Sequence, residues 1–180
     1  MAKIVTVPDP VLREKSKEVA FDKKTAELVE TLKRTLVDDQ GKLVGAGLSA
    51  VQIGIPKRVF VVYSNNSKKI LTFINPQITW YSKRLTDGLP GKYKYEGCLS
   101  LPNKWSIIKR AKEIKVSYLA ENGRPQTRKF SGVVATVIQH EYDHLDGVLF
   151  IDRALQQGSK IYELREDKDG KEYFEEIKID

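Results

Sequence analysis

His140 and His144 are the only two histidines of this 180-residue chain, and they stand four residues apart in Gln139-His140-Glu141-Tyr142-Asp143-His144. On an α-helix that spacing stacks both rings on one face, about 5–6 Å apart, so two imidazole nitrogens can converge on one divalent ion. Glu141 falls about 100° further round the helix, beside the ion rather than on it. A carboxylate in that place can accept a proton from water activated by the ion. The H-E-x-x-H spacing therefore predicts metal-assisted hydrolysis. The plain alternative is two packed histidines and a solvated glutamate, but chance pairing is hard to credit when the chain has no other histidine.

A catalytic metal site usually takes three protein ligands and leaves one position open. The extended pattern H-E-x-x-H-x-x-G-x-x-H is matched as far as Gly147 and then fails, because Phe150 stands where the last histidine belongs. Glu163 and Glu166 lie at a suitable distance along the chain for a glutamate ligand, although their segment reads as strand rather than helix. Cys98 is the remaining candidate, in Glu96-Gly97-Cys98-Leu99-Ser100-Leu101-Pro102. A lone cysteine is more often a small buried hydrophobe. Here Gly97 allows close backbone approach, and a thiolate is a soft ligand suited to Zn²⁺ or Fe²⁺.

The elements that must hold these residues are readable in outline. Ser131 can cap a helix running to about Leu145, with Gly147 at its C-terminal end, and this helix carries both histidines. From Lys23 to Gln40, Leu28, Val29, Leu32, Leu36 and Val37 follow helical spacing, with Asp22 as N-cap and Gly41 as stop. Strand-like stretches cover Ile4 to Val7, Arg58 to Tyr63, Ile70 to Ile74, Gln77 to Tyr81 and Glu113 to Leu119. They are separated by breaks such as Asn75-Pro76 and Pro90-Gly91. Asn122-Gly123 reads as a hairpin turn leading into Gln126 to Phe130. After Val148 to Ile151 the tail alternates apolar and polar residues on either side of Asp167 to Gly170, as a terminal hairpin or strand. The expectation is an α+β fold in one domain, residues 1–180, with mostly antiparallel strands around a central metal-bearing helix, an N-terminal helix and a strand-like C-terminal tail.

Composition narrows the function classes. With 31 Lys+Arg against 24 Asp+Glu the net charge is +7. The basic residues are interleaved with acids, so neither a nucleic-acid arm nor a DNA-binding module is indicated. One cysteine excludes an internal disulfide framework and points to a reducing compartment. The first residues lack a signal-peptide core and no segment has the length of a membrane span, which predicts a cytoplasmic protein.

Three ordered motifs then resemble those of peptide deformylases. Gly45-Ala46-Gly47-Leu48-Ser49-Ala50-Val51-Gln52 is similar to G-φ-G-φ-A-A-x-Q, Glu96 to Ser100 to E-G-C-L-S, and Gln139 to His144 to Q-H-E-x-D-H. The resemblance runs from about Ile4 to Asp152 and includes Pro8-Asp9-Pro10-Val11-Leu12-Arg13; the tail is closer to members that end in strand. It implies removal of the N-formyl group from formylmethionine of nascent polypeptides. Cys98, His140 and His144 would hold the metal, Fe²⁺ in the cell with Zn²⁺ or Ni²⁺ as substitutes. Glu141 would act as base and then acid, while the Gln52 amide and the Leu99 backbone N–H stabilise the developing oxyanion. Gly45, Ala46 and Gly47, with Glu96 and Gly97, would line the peptide site, and Glu96 would pair with Arg110, with Asp143 nearby. A monomer that works near the ribosome is implied as well. Two departures bear on the pocket: Ala46 replaces a larger aliphatic residue and Ser49 an alanine. Two rivals stay open, an H-E-x-x-H peptidase using Glu163 or Glu166, and a non-catalytic metal-stabilised domain that binds ribosomal RNA.

Overall fold

Residues 1–38, 40–89 and 94–178 are described by a computed structural model of the chain. The Pro90-Gly91 break and the last two residues, Ile179 and Asp180, lie outside them. The Asp22 side chain accepts the Thr25 N–H at 2.8 Å and opens α1 (Lys23–Thr35), whose Val29 and Leu32 face the core. The helix stops five residues before the expected end. Leu36 is still buried, but Val37 bridges to Leu43, and Gly41, at φ +78°, serves the turn back from Asp38 rather than the helix end.

Strands β1 (Gly47–Ser49), β2 (Val59–Ser64) and β3 (Lys69–Tyr81) follow, then β4 (Glu96–Cys98) and β5 (Leu101–Ser106), then β6 (Glu113–Leu119) and β7 (Pro125–Ser131). Helices α2 (Gly132–Leu145) and α3 (Phe150–Gln156) lead to a terminal hairpin, β8 (Ile161–Glu166) and β9 (Glu172–Ile177). The strands form two antiparallel sheets, one ordered β1-β2-β3-β6-β7 and the other β4-β5-β8-β9. The α+β class with mostly antiparallel strands is as expected.

Several boundaries differ from expectation for local reasons. The two strands expected on either side of Asn75-Pro76 are one strand, because Asn75 adopts φ +47° and the ladder to β6 shifts register there. A bulge accommodates a proline that cannot donate to the ladder. Asn75 is held by Val19, whose N–H donates to Asn75 Oδ1 at 2.9 Å and whose C=O accepts from Asn75 Nδ2 at 2.8 Å. Ile4 to Val7 forms no strand and ends in a turn; Val5 N–H donates to Gln52 C=O at 2.8 Å and Val7 N–H to Ser100 C=O at 3.0 Å. The apolar run Val148 to Ile151 turns into α3, where the Asp152 carboxylate caps the Leu149 N–H at 2.7 Å.

Helix α2 is buried on nearly every side, from Val134 to Leu145 with Tyr142 as the exception. Its first half explains this: Val133-Val134-Ala135-Thr136-Val137-Ile138 presents no continuous polar face, so the helix has to be enclosed. Phe60, Phe73, Ile114, Val116 and Phe130 of the larger sheet pack on it from one side. Its Ser131 side chain makes no capping bond, contrary to expectation, while Gly147 adopts φ +70° just beyond the C-terminal end. A Cβ there would run into the backbone of Arg13, so glycine is required twice over. Among the described residues no helix is long and apolar enough to cross a membrane.

Candidate metal centre and active site

Burying α2 brings its polar residues into contact with three different neighbours. His140 and His144 face Cys98 at the end of β4, with ring centroids 5.0 Å apart. One donor atom from each of Cys98, His140 and His144 lies within 4.8 Å of the others, and Cys98 Sγ is 3.2 Å from His144 Nε2. In a tetrahedral site a thiolate sulfur and an imidazole nitrogen sit roughly 3.5 Å apart, so the three donors fit one ion. Soft sulfur with two imidazoles suits a first-row transition metal or zinc.

The rear of this cluster is charged and closed. His140 Nδ1 meets Glu96 Oε1 at 2.6 Å, which fixes the ring and leaves its other nitrogen for the cluster. Glu96 also accepts two bonds from Arg110, at 2.7 and 2.8 Å, and Arg110 reaches Asp143 at 2.9 Å. Asp143 in turn takes Arg153 from α3 at 2.6 and 3.1 Å. Burial alone would raise the Glu96 carboxyl, but the Arg110 charge and the bonds from Arg110 and His140 outweigh it and hold Glu96 well below the usual carboxylate range. Burial, then the charges of His140 and Arg110, push His144 well below its ordinary value, which suits a neutral imidazole ligand. Both Glu96 oxygens are thus engaged behind the donors.

The front is open. Cys98, His140 and Glu141 border a cleft of about 410 Å³ together with Gly45, Ala46, Gly47, Gln52, Glu96, Gly97 and Leu99. His144 is buried and lies off the cleft wall. Gln52 Nε2 is 3.5 Å from Cys98 Sγ and donates to Ser100 Oγ at 3.2 Å, while its Oε1 accepts the Ser49 N–H at 2.8 Å. That last bond sets which end of the amide points at the cluster. Burial pushes the Glu141 carboxyl up from its ordinary value, and the nearby His140 and a bond from Ser49 pull it part of the way back. A Cβ on Gly47 would sit 2.6 Å from Glu141 Oε1, and one on Gly45 would sit 2.9 Å from the Leu99 side chain. These glycines are therefore space for the Glu141 carboxylate and the Leu99 side chain, beyond any role in a turn.

A sequence profile described as polypeptide deformylase matches residues 1–160. The chain belongs to the polypeptide deformylase family. Deformylation of nascent peptides is the function of this metal-dependent family. The deformylase chain is 42% identical to the peptide deformylase of Bartonella tribocorum over 161 residues, covering 84% of this chain and 83% of that one. Its fold is similar to that of a peptide deformylase from Synechococcus elongatus in complex with actinonin, with TM-score 0.74, 35% identity and coverage of 84% and 78%. A Met-Ala-Ser-bound class I type b peptide deformylase from Acinetobacter baumannii matches with TM-score 0.74 and 28% identity, over 85% of this chain and 98% of that one.

The deformylase cleft includes residues that sequence reasoning missed or used only in passing. Ser49, noted only as a departure from alanine, is fully buried and donates from Oγ to Glu141 Oε2 at 2.7 Å and to Glu141 C=O at 3.1 Å. Arg153 completes the rear network from a helix that was not expected. Tyr95 and Trp105 line the cleft and were not singled out. The rival ligands do not join the cluster: Glu163 sits on β8, paired with Lys104 and Arg165, and neither it nor Glu166 borders the cleft.

Proposed function

We propose that this chain hydrolyses the N-terminal formyl group of formylmethionyl peptides, with Cys98, His140 and His144 as metal ligands. The observation that carries this reading is the convergence of those three donors beside Glu141 and Gln52 in a chain of the deformylase family. When bound, a divalent ion supplies Lewis acidity and makes water more acidic. Glu141 takes the proton of the attacking water and returns it to the departing amine nitrogen, so formate leaves and a free N-terminus remains. The new C–O bond forms first, moving the carbonyl electrons onto oxygen, and the C–N amide bond breaks when that proton reaches the nitrogen. Gln52 Nε2 and the Leu99 backbone N–H stabilise the negative carbonyl oxygen, each worth about 3 kcal/mol. Gly45, Ala46 and Gly47 leave room for the peptide to lie as an added strand, with Gly97 opposite. Glu96 serves by orienting His140.

Fe²⁺ is the ion we assign, with Zn²⁺ or Ni²⁺ as substitutes; the donor set supports a soft divalent metal and the family resemblance favours iron. We read residues 1–180 as one domain acting as a monomer in the cytoplasm, on chains emerging from the ribosome. The net charge of +7 is compatible with such surroundings. The test is formate release from formyl-Met-Ala-Ser by protein loaded anaerobically with Fe²⁺, with metal content measured on the same sample. Stoichiometric metal and steady formate release are expected. Fully loaded protein that releases no formate overturns the reading, and unchanged metal content in Cys98→Ala overturns the ligand assignment.

A further inference from the structure

The family match ends at residue 160, and the β8–β9 hairpin begins at Ile161. That hairpin extends the sheet that carries Cys98, because β8 pairs with β5 and β5 pairs with β4. Its Phe174 ring stacks on Tyr95 with centroids 4.0 Å apart and planes 25° from parallel, and it meets Trp105 edge-on at 6.0 Å. Tyr162 adds an edge contact to Tyr95 at 5.2 Å. Tyr95 and Trp105 are the two aromatic side chains on the cleft wall among the described residues. Each is thus held between the cleft and the terminal hairpin.

Trp105 lies against the ligand segment itself. It is the register partner of Gly97, and a Cβ on Gly97 would come within 2.7 Å of the indole. The ring therefore covers the backbone next to Cys98. Its buried Nε1–H has no hydrogen-bond partner among the described residues, so ring packing alone orients it. Phe174 supplies that packing from outside. Ring pairs at these distances are directional as well as apolar, and loss of one member frees the other to change rotamer.

We infer that Phe174 is a positioning residue for substrate binding: the terminal hairpin sets an aromatic wall, Tyr95 and Trp105, against which the formylmethionyl peptide packs. The inference rests on the proposed deformylase activity. Neither ring can act on the formyl carbon, so the wall contributes to peptide affinity and leaves the chemical step to the groups around Cys98. Apolar peptide side chains are the chemistry it favours.

Steady-state formate release from formyl-Met-Ala-Ser by the Fe²⁺-loaded full chain tests this in Phe174→Ala, Phe174→Leu and Phe174→Tyr, with wild type alongside. Phe174→Ala is expected to raise KM about tenfold with kcat within twofold and metal content unchanged. Phe174→Leu, which keeps apolar bulk without the ring, is expected to raise KM at least threefold, and it decides the matter if the alanine variant does not fold. Phe174→Tyr restores both constants to within twofold of wild type. An unchanged KM in the leucine and alanine variants overturns the inference, as does a fall in kcat in step with the rise in KM. Wild type that is loaded with metal but silent overturns the activity itself, a result separable from an active wild type with indifferent variants.

Discussion

The two flanks of the donor cluster are built from opposite materials. Behind it, Glu96, Arg110, Asp143 and Arg153 form a chain of charges that links β4, the segment before β6, α2 and α3. In front, the groups beside the donors that face Gln52 and Glu141 are set by a hydroxyl, an amide and two glycines. The rear flank is satisfied internally; Glu96 and Arg110 are 5% and 6% exposed, and each carries multiple partners. Buried charge is tolerated only when paired and hydrogen-bonded, and such a network is rigid. The front flank has to admit a peptide, so its groups are oriented by short local bonds and by absent side chains. The difference implies that damage at the rear changes stability and metal retention, whereas damage at the front changes turnover.

Glu141→Gln gives the largest expected contrast, because it removes the buried carboxylate beside the donor cluster while keeping its shape. A loss of about 10³–10⁴-fold in kcat is expected with metal retained, read from formate release and metal analysis on one preparation; substantial remaining turnover would mean that another group moves the proton. Next, Arg110→Leu leaves Glu96 and Asp143 buried without their shared partner. Breaking a buried pair costs about 3–5 kcal/mol, measurable by urea unfolding, and metal retention should fall with it. If that variant kept its stability but lost turnover, the division between flanks would fail.

Gly47→Ala should lower kcat about 100-fold, since an added Cβ would displace Glu141 Oε1 and sub-ångström misplacement of a catalytic group is costly. Retention of full activity would show that the carboxylate relaxes freely. Smallest is Ser49→Ala. Removing one hydrogen bond to the base should reduce kcat about tenfold, since bonds to charged groups contribute about 1.5–3 kcal/mol, with KM and metal content unchanged. An equal loss of stability and no loss of kcat would assign Ser49 to packing alone.

What the sequence made legible follows the range of the physics involved. His140, Glu141 and His144 were readable because four-residue spacing on one helix is local geometry. The terminal hairpin was readable from alternation around Asp167 to Gly170, and the α2 boundaries from Ser131 and Gly147, even though Ser131 caps nothing. Cys98 was reached only by elimination of other third ligands, and Gln52 needed the resemblance, since neither residue has a periodic signature. The bond from Ser49 to Glu141 spans 92 positions and leaves no trace in either neighbourhood. Strand β4 is three residues with a glycine at its centre, too short for a pattern to show. The continuity of β3 through Asn75-Pro76 depends on a contact to Val19, 56 positions away, which turns an apparent break into a bulge.

The N-terminal segment from Ile4 to Ser16, which joins neither sheet, has a consequence for how the molecule holds together. Val5 N–H donates to Gln52 C=O, Val7 N–H to Ser100 C=O, and Ser16 N–H to Leu145 C=O at 2.8 Å, so each bond closes a long stretch of chain. Such long-range closure is slow relative to local helix formation and contributes little until the distant parts are in place. The segment therefore acts as a strap across parts that are distant in the chain. It ties together the turn that presents Gln52, the loop beside Cys98 and the end of the helix that carries both histidines, and so braces the spacing of the groups around the cleft.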